Sequence, residues 1–246
     1  STIAILNTLE VFGLHWDNGV YYQSQHLGDY AYYLEKLAQN QLTYPCVCSR
    51  KSLADQFDDN PDNKNTIYPG ICRDKLVAAD TPHAIRIKTE DCTLSFNDGL
   101  QGLISHKLTE QHGDFILKRK DSIIAYQFAV VVDDMLQKVN HVVRGCDLLE
   151  ETPKQIYLQR LLGFPTPAYM HVPVIVDQHG YKLSKQTLAT AVDAQSPHLT
   201  LFTLLRLLKQ NPPDDLFGAK VYELLRWAIV NWRPDTLHLC SKFSLC

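Results

Sequence analysis

Apolar residues recur along this chain with two different periods, and the change of period divides it. Near the start, Ile5, Leu6, Leu9 and Phe12 keep helical spacing up to Gly13, which predicts a helix over residues 2–14 with a glycine stop. Residues 16–25 are aromatic and irregular. Leu27, Tyr30, Leu34, Leu37 and Ala38 then share one helical face, predicting a second helix over 27–40. Alternation takes over from Tyr44 to Cys48, a short strand, and Ser49 is placed to cap a brief helix reaching Leu53. Residues 55–66, DQFDDNPDNKNT, carry too little apolar area to offset their ordering entropy and read as a surface insertion.

Short strands are predicted next at 84–88, 92–96, 100–105 and 115–119, parted by turn residues such as Asn97-Asp98-Gly99. Over 126–134 the Val-Val-Val run favours a strand, while Tyr126, Ala129, Val130 and Asp133 recur at helical spacing; both readings fit, and helix is preferred. A strand over 138–143 precedes a helix that opens at Thr152-Pro153, with Thr152 as cap, and stops at Gly163. Residues 172–177 predict a further strand, leading through Gly180 into Lys182-Leu183-Ser184-Lys185-Gln186. Helices over 199–209 and 216–232, split by Asn211-Pro212-Pro213-Asp214, end the pattern, and the tail 241–246 carries none. The expected class is α/β.

Composition narrows what such a fold can do. The 246 residues are 45% hydrophobic and 21% charged, with no apolar run near the roughly 20 residues that a membrane-spanning helix needs. A formal charge of -3 excludes a globally basic nucleic-acid binder but leaves room for a local basic groove. Ser1 begins no basic, apolar leader, so the cytoplasm is expected, and with it reduced cysteines. The seven are odd in number, and Cys46, Cys48 and Cys72 form a close trio that reads as metal ligands or reactive thiols before disulfides.

The segment 125–151 concentrates polar chemistry within apolar blocks: the tandem acids Asp133 and Asp134, and an isolated Arg144. On residue chemistry alone Arg144 reads as a structural ion-pair partner, and the acids as capping or ion pairing at a helix end. Lys182 and Lys185 flank a serine on a loop; such pairs are usually solvated, though two ammonium groups there could also embrace a polyphosphate. Cys92, Cys146, Cys240 and Cys246 have no partners at useful spacing, and no base stands near Cys146 to make it a nucleophile. His171, ahead of Val-Pro-Val, reads as a packed strand residue.

Two stretches carry a resemblance. Lys182-Leu183-Ser184-Lys185-Gln186 resembles the KMSKS-type loop of class I aminoacyl-tRNA synthetases, and residues 125–163, AYQFAVVVDD…HVVRGCDLLEETPKQIYLQRLLG, resemble the glutamyl-tRNA synthetase group. The likeness spans at least residues 2–190, and the glutamine closing the lysine loop, with the short C-terminal end, is more similar to the glutamyl-queuosine tRNA(Asp) synthetases. It implies a Rossmann-like nucleotide-binding fold. Residues 1–42 would be the remainder of its N-terminal half, 43–120 a zinc-bearing, β-rich insertion, 121–195 its C-terminal half with the lysine loop, and 196–246 a helical end.

The same resemblance implies a cytoplasmic, monomeric ligase that activates L-glutamate with ATP, carried with Mg2+, and transfers glutamate to the queuosine base of tRNA(Asp). Tyr126 and Arg144 would contact glutamate; a guanidinium can hold a carboxylate bidentately, and a phenol can orient it. Lys182 and Lys185 would be the catalytic cations, Lys185 the nearer to ATP. Cys46, Cys48, Tyr68 and Cys72 would hold one structural zinc, a donor set that suits tetrahedral coordination, with His83 the alternative to Tyr68. No H-x-G-[HST] tetrapeptide occurs near the start, so the family's HIGH-like ATP motif is expected upstream and the chain is expected to be N-terminally truncated. A fragment of a conventional glutamyl-tRNA synthetase, or a catalytically dead remnant that binds tRNA or zinc, are the competing expectations.

Overall fold

Among the described residues three hydrogen-bonded sheets carry the fold. A computed structural model describes residues 2–49, 52–53, 67–78, 80–183 and 192–244; the insertion expected at 55–66 and the Ser184-Lys185-Gln186 part of the lysine loop lie outside them. In the first sheet β1 (Thr43–Cys46) and β5 (Ile116–Lys118) flank β2 (Ala84–Ile87), both antiparallel to it. The second has β3 (Thr93–Asp98) and β4 (Gly102–Lys107) as a hairpin, then β7 (Ala168–Val172) and β6 (His141–Gly145), in the order β4-β3-β7-β6. Strands β6 and β7 are parallel, which requires a crossover, and the helix α5 (Thr152–Leu162) supplies it. The third pairs β8 (Val174–Val176) with β9 (Lys242–Ser244).

The remaining helices are α1 (Thr2–Val11), α2 (Leu27–Gln39), α3 (Leu108–Gln111), α4 (Tyr126–Leu136), α6 (Pro197–Leu207) and α7 (Val221–Asn231). The ambiguous stretch at 126–134 is thus helix. Its valines tolerate that because Phe128, Ala129, Val131 and Val132 make one buried face against Tyr30, Leu34 and Leu37 of α2 and Ile156 and Leu158 of α5, and packing of that kind, about 1.5–3 kcal/mol per large apolar side chain, outweighs propensity. The same core takes Ile87, Leu94 and Leu117 from β2, β3 and β5, so the β-rich stretch shares its interior with the segments on either side. A second cluster, Phe12, Leu201, Phe202, Leu205 and Leu224, joins α6 and α7 to the turn after α1.

Several boundaries depart from expectation for local reasons. Ile5 of the expected apolar face of α1 is 63% exposed. Strand β3 runs on through Asp98, whose Oδ1 accepts the N–H groups of Leu100 and Gln101 at 3.0 and 2.9 Å and so sets the turn two residues later. Lys138 takes a left-handed φ of 58° to end α4, which delays the next strand to His141. The single strand expected at 172–177 is split at Pro173, which has no N–H to offer a ladder, so β7 and β8 serve different sheets. The unpatterned tail provides β9. Thr152 opens α5 but does not cap it, because the 3-10 turn Cys146–Glu151 precedes it and its hydroxyl bonds back to Leu148 O at 3.2 Å. Gly218, at φ +82°, holds the start of α7 back to Val221. No helix among the described residues is long and apolar enough to cross a membrane.

Candidate active site and metal cluster

Arg144 and His171 are register partners on the parallel strands β6 and β7, so their side chains share one face of the sheet. Arg144 Nε donates to His171 Nε2 at 3.1 Å. Helix α5, lying on that face, adds two acceptors for Nη2: Thr152 Oγ1 at 2.8 Å and Gln155 Oε1 at 2.7 Å. Behind His171, at the end of β3, Asp98 Oδ2 meets Nδ1 at 2.6 Å and Oδ1 accepts the His171 backbone N–H at 3.1 Å.

Protonation follows from this geometry. An arginine only donates, so His171 Nε2 is a bare acceptor and the ring proton sits on Nδ1, toward Asp98. Burial pushes His171 below its ordinary pKa, against the pull of Asp98. Burial alone would raise Asp98, but hydrogen bonds from His171, Gln101 and Leu100 outweigh it and hold the carboxyl below the usual value. Among the described residues no carboxylate lies within ion-pair distance of Arg144, and its Nη1 has no hydrogen-bond partner. The guanidinium is oriented by neutral acceptors.

Tyr126, 49% exposed, opens α4. It lines a cleft of about 620 Å³ with Cys48, Arg119 and Lys120 among the other walls. Among the described residues no hydrogen bond joins Tyr126 directly to Arg144; the link runs through its neighbour Gln127, whose Oε1 accepts from Gln155 Nε2 at 2.7 Å and whose amide donates to Glu151. Gln127, Gln155, Thr152, Asp98 and His171 were not foreseen as site residues. The one local signal was a polar residue at a buried position of an apolar strand, as His171 is in Ala-Tyr-Met-His-Val.

The first half of the lysine loop approaches the end of β6. Leu183 N–H donates to Ile175 O at 3.1 Å, and Lys182 Nζ donates to Asp147 Oδ2 at 2.6 Å, Asp147 standing in the turn just after β6. That contact explains Gly145: a Cβ there would collide with Asp147 Oδ1 and press Val174 Cγ1 at 3.0 Å. Lys185 lies outside the described residues.

A second constellation forms at β1. The sulfurs of Cys46, Cys48 and Cys72 lie within 4.8 Å of one another. Tyr68 OH is 3.4 Å from Cys46 Sγ and 3.6 Å from Cys48 Sγ, and Cys48 and Cys72 Sγ are 3.5 Å apart. Tetrahedral zinc requires edges of about 3.5 Å between sulfur and oxygen and about 3.8 Å between sulfurs, so the donor set fits such an ion. His83 is engaged elsewhere, Nδ1 lying 2.7 Å from Thr81 O. Burial opposes ionisation of Cys72, but hydrogen bonds from Tyr68, the Val47 backbone and the two other cysteines bring its thiol down to about 7, the charge state a metal needs. Cys146, by contrast, is pushed up by burial to about 11, consistent with an inert thiol.

The acid pair divides. Among the described residues Asp133 neither caps nor pairs with a cation: it is buried and accepts from Tyr30 OH at 2.6 Å and Gln23 Nε2 at 2.7 Å, tying α2 and the turn before it to α4. Asp134 is raised to about 6, by burial and by Asp133, with Arg144 opposing.

Comparison with known proteins adds the following. The family model of tRNA synthetases class I (E and Q), catalytic domain, matches residues 2–211. The glutamyl-Q tRNA(Asp) synthetase of Thiobacillus denitrificans is 45% identical over 233 residues, 95% of this chain and 77% of that protein. The protein of the same name from Methylococcus capsulatus is 43% identical over 230 residues, 93% of this chain and 74% of the other. A solved glutamate tRNA ligase of Elizabethkingia meningosepticum, in complex with its amino acid, is alike in fold, with a TM-score of 0.70 at 21% identity over 99% of this chain and 57% of that one.

Proposed function

The chain belongs to the catalytic-domain family of the class I tRNA synthetases for glutamate and glutamine, and from that premise we propose that it activates L-glutamate with ATP and transfers the glutamyl group to queuosine in tRNA(Asp). The observation that carries the reading is the 45% identity to a glutamyl-Q tRNA(Asp) synthetase along 95% of the chain. The chemistry of the site supports it. Arg144 stands near the C-terminal end of a parallel strand, the side of an open α/β sheet where ligands bind, with a guanidinium that no carboxylate among the described residues pairs with and that suits a ligand carboxylate.

In the reaction the glutamate α-carboxylate attacks the α-phosphorus of ATP, pyrophosphate leaves, and a hydroxyl of the queuosine cyclopentenediol then displaces AMP from the mixed anhydride. Little covalent chemistry falls to the protein; orientation and charge compensation do most of the work. Arg144 and Tyr126 hold the amino acid, while Lys182 and Lys185 offset charge on the phosphates, with Mg2+ arriving on ATP. Cys46, Cys48, Tyr68 and Cys72 hold one zinc ion, which ties β1 to the segment around Cys72 and takes no part in the steps above. The work is done in the cytoplasm, where tRNA is.

The test is glutamate-dependent ATP–pyrophosphate exchange by the natural full-length protein without tRNA, followed by transfer of labelled glutamate. Label on tRNA(Asp) that carries queuosine, and none on tRNA(Asp) lacking it, is the expected result. Label on the 3′ end of tRNA(Glu) would make the protein a conventional glutamyl-tRNA synthetase, and tRNA or zinc binding without any exchange would make it an inactive remnant. Metal analysis should find one zinc per chain, lost in Cys72→Ser.

A further inference from the structure

We propose that His171, held by Asp98, is a positioning residue for the amino-acid substrate: it anchors Arg144 through Nε, so that the guanidinium keeps its Nη1 edge and its full charge for the substrate carboxylate. The inference rests on the proposed contact between Arg144 and glutamate. A carboxylate set directly on the guanidinium would orient it as firmly, but would also compensate the charge that a ligand carboxylate must meet. Here the negative charge of Asp98 stands one imidazole away. With Nδ1–H committed to Asp98 at 2.6 Å, Nε2 is left as an acceptor aimed at Arg144 Nε at 3.1 Å. Direction is passed on and neutralisation is not.

The rest of the cradle obeys the same rule. Thr152 Oγ1 and Gln155 Oε1, which take both bonds from Nη2, are neutral oxygens, and Gln155 is itself fixed by Gln127 at 2.7 Å. The side chains of Asp98 and His171 are fully buried. A fully buried carboxylate beside a neutral imidazole carries a desolvation cost that its hydrogen bonds must offset, so stability alone gives weak reason for one here. Register explains how the pair reaches its target: Arg144 and His171 are aligned across β6 and β7, while β3 delivers Asp98 from the other side of β7.

Kinetics of glutamate-dependent pyrophosphate exchange test this in the natural full-length protein, with thermal denaturation alongside, for Arg144→Lys, His171→Gln and His171→Asn. A glutamine places its amide oxygen near the position of Nε2 and can still accept from Arg144; an asparagine reaches only the position of Nδ1. The expected result is a KM for glutamate raised about tenfold in His171→Asn, an unchanged KM for ATP, and recovery of most of the loss in His171→Gln at a similar melting temperature. Both variants behaving alike, with activity tracking lost stability, would overturn the positioning role. Should Arg144→Lys raise the glutamate KM while His171→Asn leaves it alone, only the positioning role falls. Should Arg144→Lys leave it unchanged, the glutamate contact and the positioning role fall together.

Discussion

Two buried aspartates, Asp98 and Asp114, each stand behind an arginine, and they treat it in opposite ways. Asp114 grips Arg73 directly, accepting from Nη2 and Nε at 2.6 and 2.7 Å, and also accepts from Tyr44 OH at 2.6 Å and from Thr89 N–H at 2.8 Å. Its carbonyl takes Arg86 Nη1 at 2.6 Å, and Arg86 Nε in turn reaches Cys46 Sγ at 3.3 Å. This hub joins β1, β2 and the Cys72 segment around the cysteine cluster, and the charge of Arg73 is spent within the fold. Asp98 stops one imidazole short of Arg144. An arginine saturated by a carboxylate belongs to the scaffold, whereas one aimed by neutral acceptors is available to a ligand.

The same substitution at both positions is the sharpest way to break that contrast. Asp114→Asn should cost about 2 kcal/mol, because it removes charge-assisted hydrogen bonds at a buried carboxyl while Arg73, 37% exposed, keeps part of its hydration; urea unfolding would measure this, with zinc content as a second readout. Asp98→Asn should cost only about 1 kcal/mol, since the amide oxygen still accepts the N–H groups of Leu100, Gln101 and His171. Its NH2, however, faces His171 Nδ1 and forces the ring proton to Nε2, against the Arg144 N–H, much as a wrong tautomer disables other aspartate–histidine pairs. Glutamate KM should rise in the Asp98 variant and stay level in the Asp114 variant at any temperature where that protein is folded. Equal stability losses, or an unchanged KM in Asp98→Asn, would dissolve the distinction.

A middle-sized effect is expected at the joint between the two halves of the site. Gly145→Ala should displace the Asp147 carboxylate and with it the partner of Lys182, because the new methyl group and Asp147 Oδ1 cannot share the space. Because the displaced atom is the end of a flexible, part-exposed side chain, the stability cost should stay near about 1 kcal/mol. The kinetic signature should be a KM for ATP raised more than that for glutamate, since Lys182 and not Arg144 loses an ion-pair contact. The reverse ordering would place Asp147 in the Arg144 network instead.

How much of this could be seen in the chain beforehand depended on whether the information was local. Helix α5 was legible at both ends: Pro153 opens it, and Gly163 closes it with φ 71° while Gly163 and Phe164 N–H return to Arg160 and Gln159. Helix α4 was half legible, for its valines argue strand and only the buried face decides. Strand β9 was not legible at all. Three residues have no measurable period, and Lys242–Ser244 is a strand only because Pro173 frees β8 to pair with it. Of the candidate site residues, Tyr126, Arg144 and the lysines stood out through a family likeness, whereas Asp98 and His171, 73 positions apart, meet only in the folded sheet. Asn97-Asp98-Gly99 looked like a turn because Asp98 does cap one, with the oxygen that the imidazole does not use.

The smallest expected effect concerns a third aspartate, which has neither arrangement. Asp134 is raised from 3.8 to about 6, chiefly by burial, so the folded protein keeps a proton that the unfolded chain has released, and its contribution to stability is lost as pH rises from about 4 through about 6. His112, half-buried beside Lys154 and His106, is lowered from 6.5 to about 4 chiefly by desolvation, so its contribution is lost as pH falls from about 6.5 through about 4. The two terms oppose each other over one window, each amounting to at most roughly 3 kcal/mol before solvent screening. Wild-type stability should therefore vary less between pH 4 and 6.5 than either term alone would make it, with the lowered His171 adding a loss on acidification, and should drop further below about 4, where the lowered carboxyls of Asp98 and Asp114 take up protons. Asp134→Asn should steepen the loss on acidification relative to wild type, and His112→Gln should make it shallower. Urea midpoints at a series of pH values would show it, and parallel curves for the three proteins would mean that neither group is held away from its ordinary pKa.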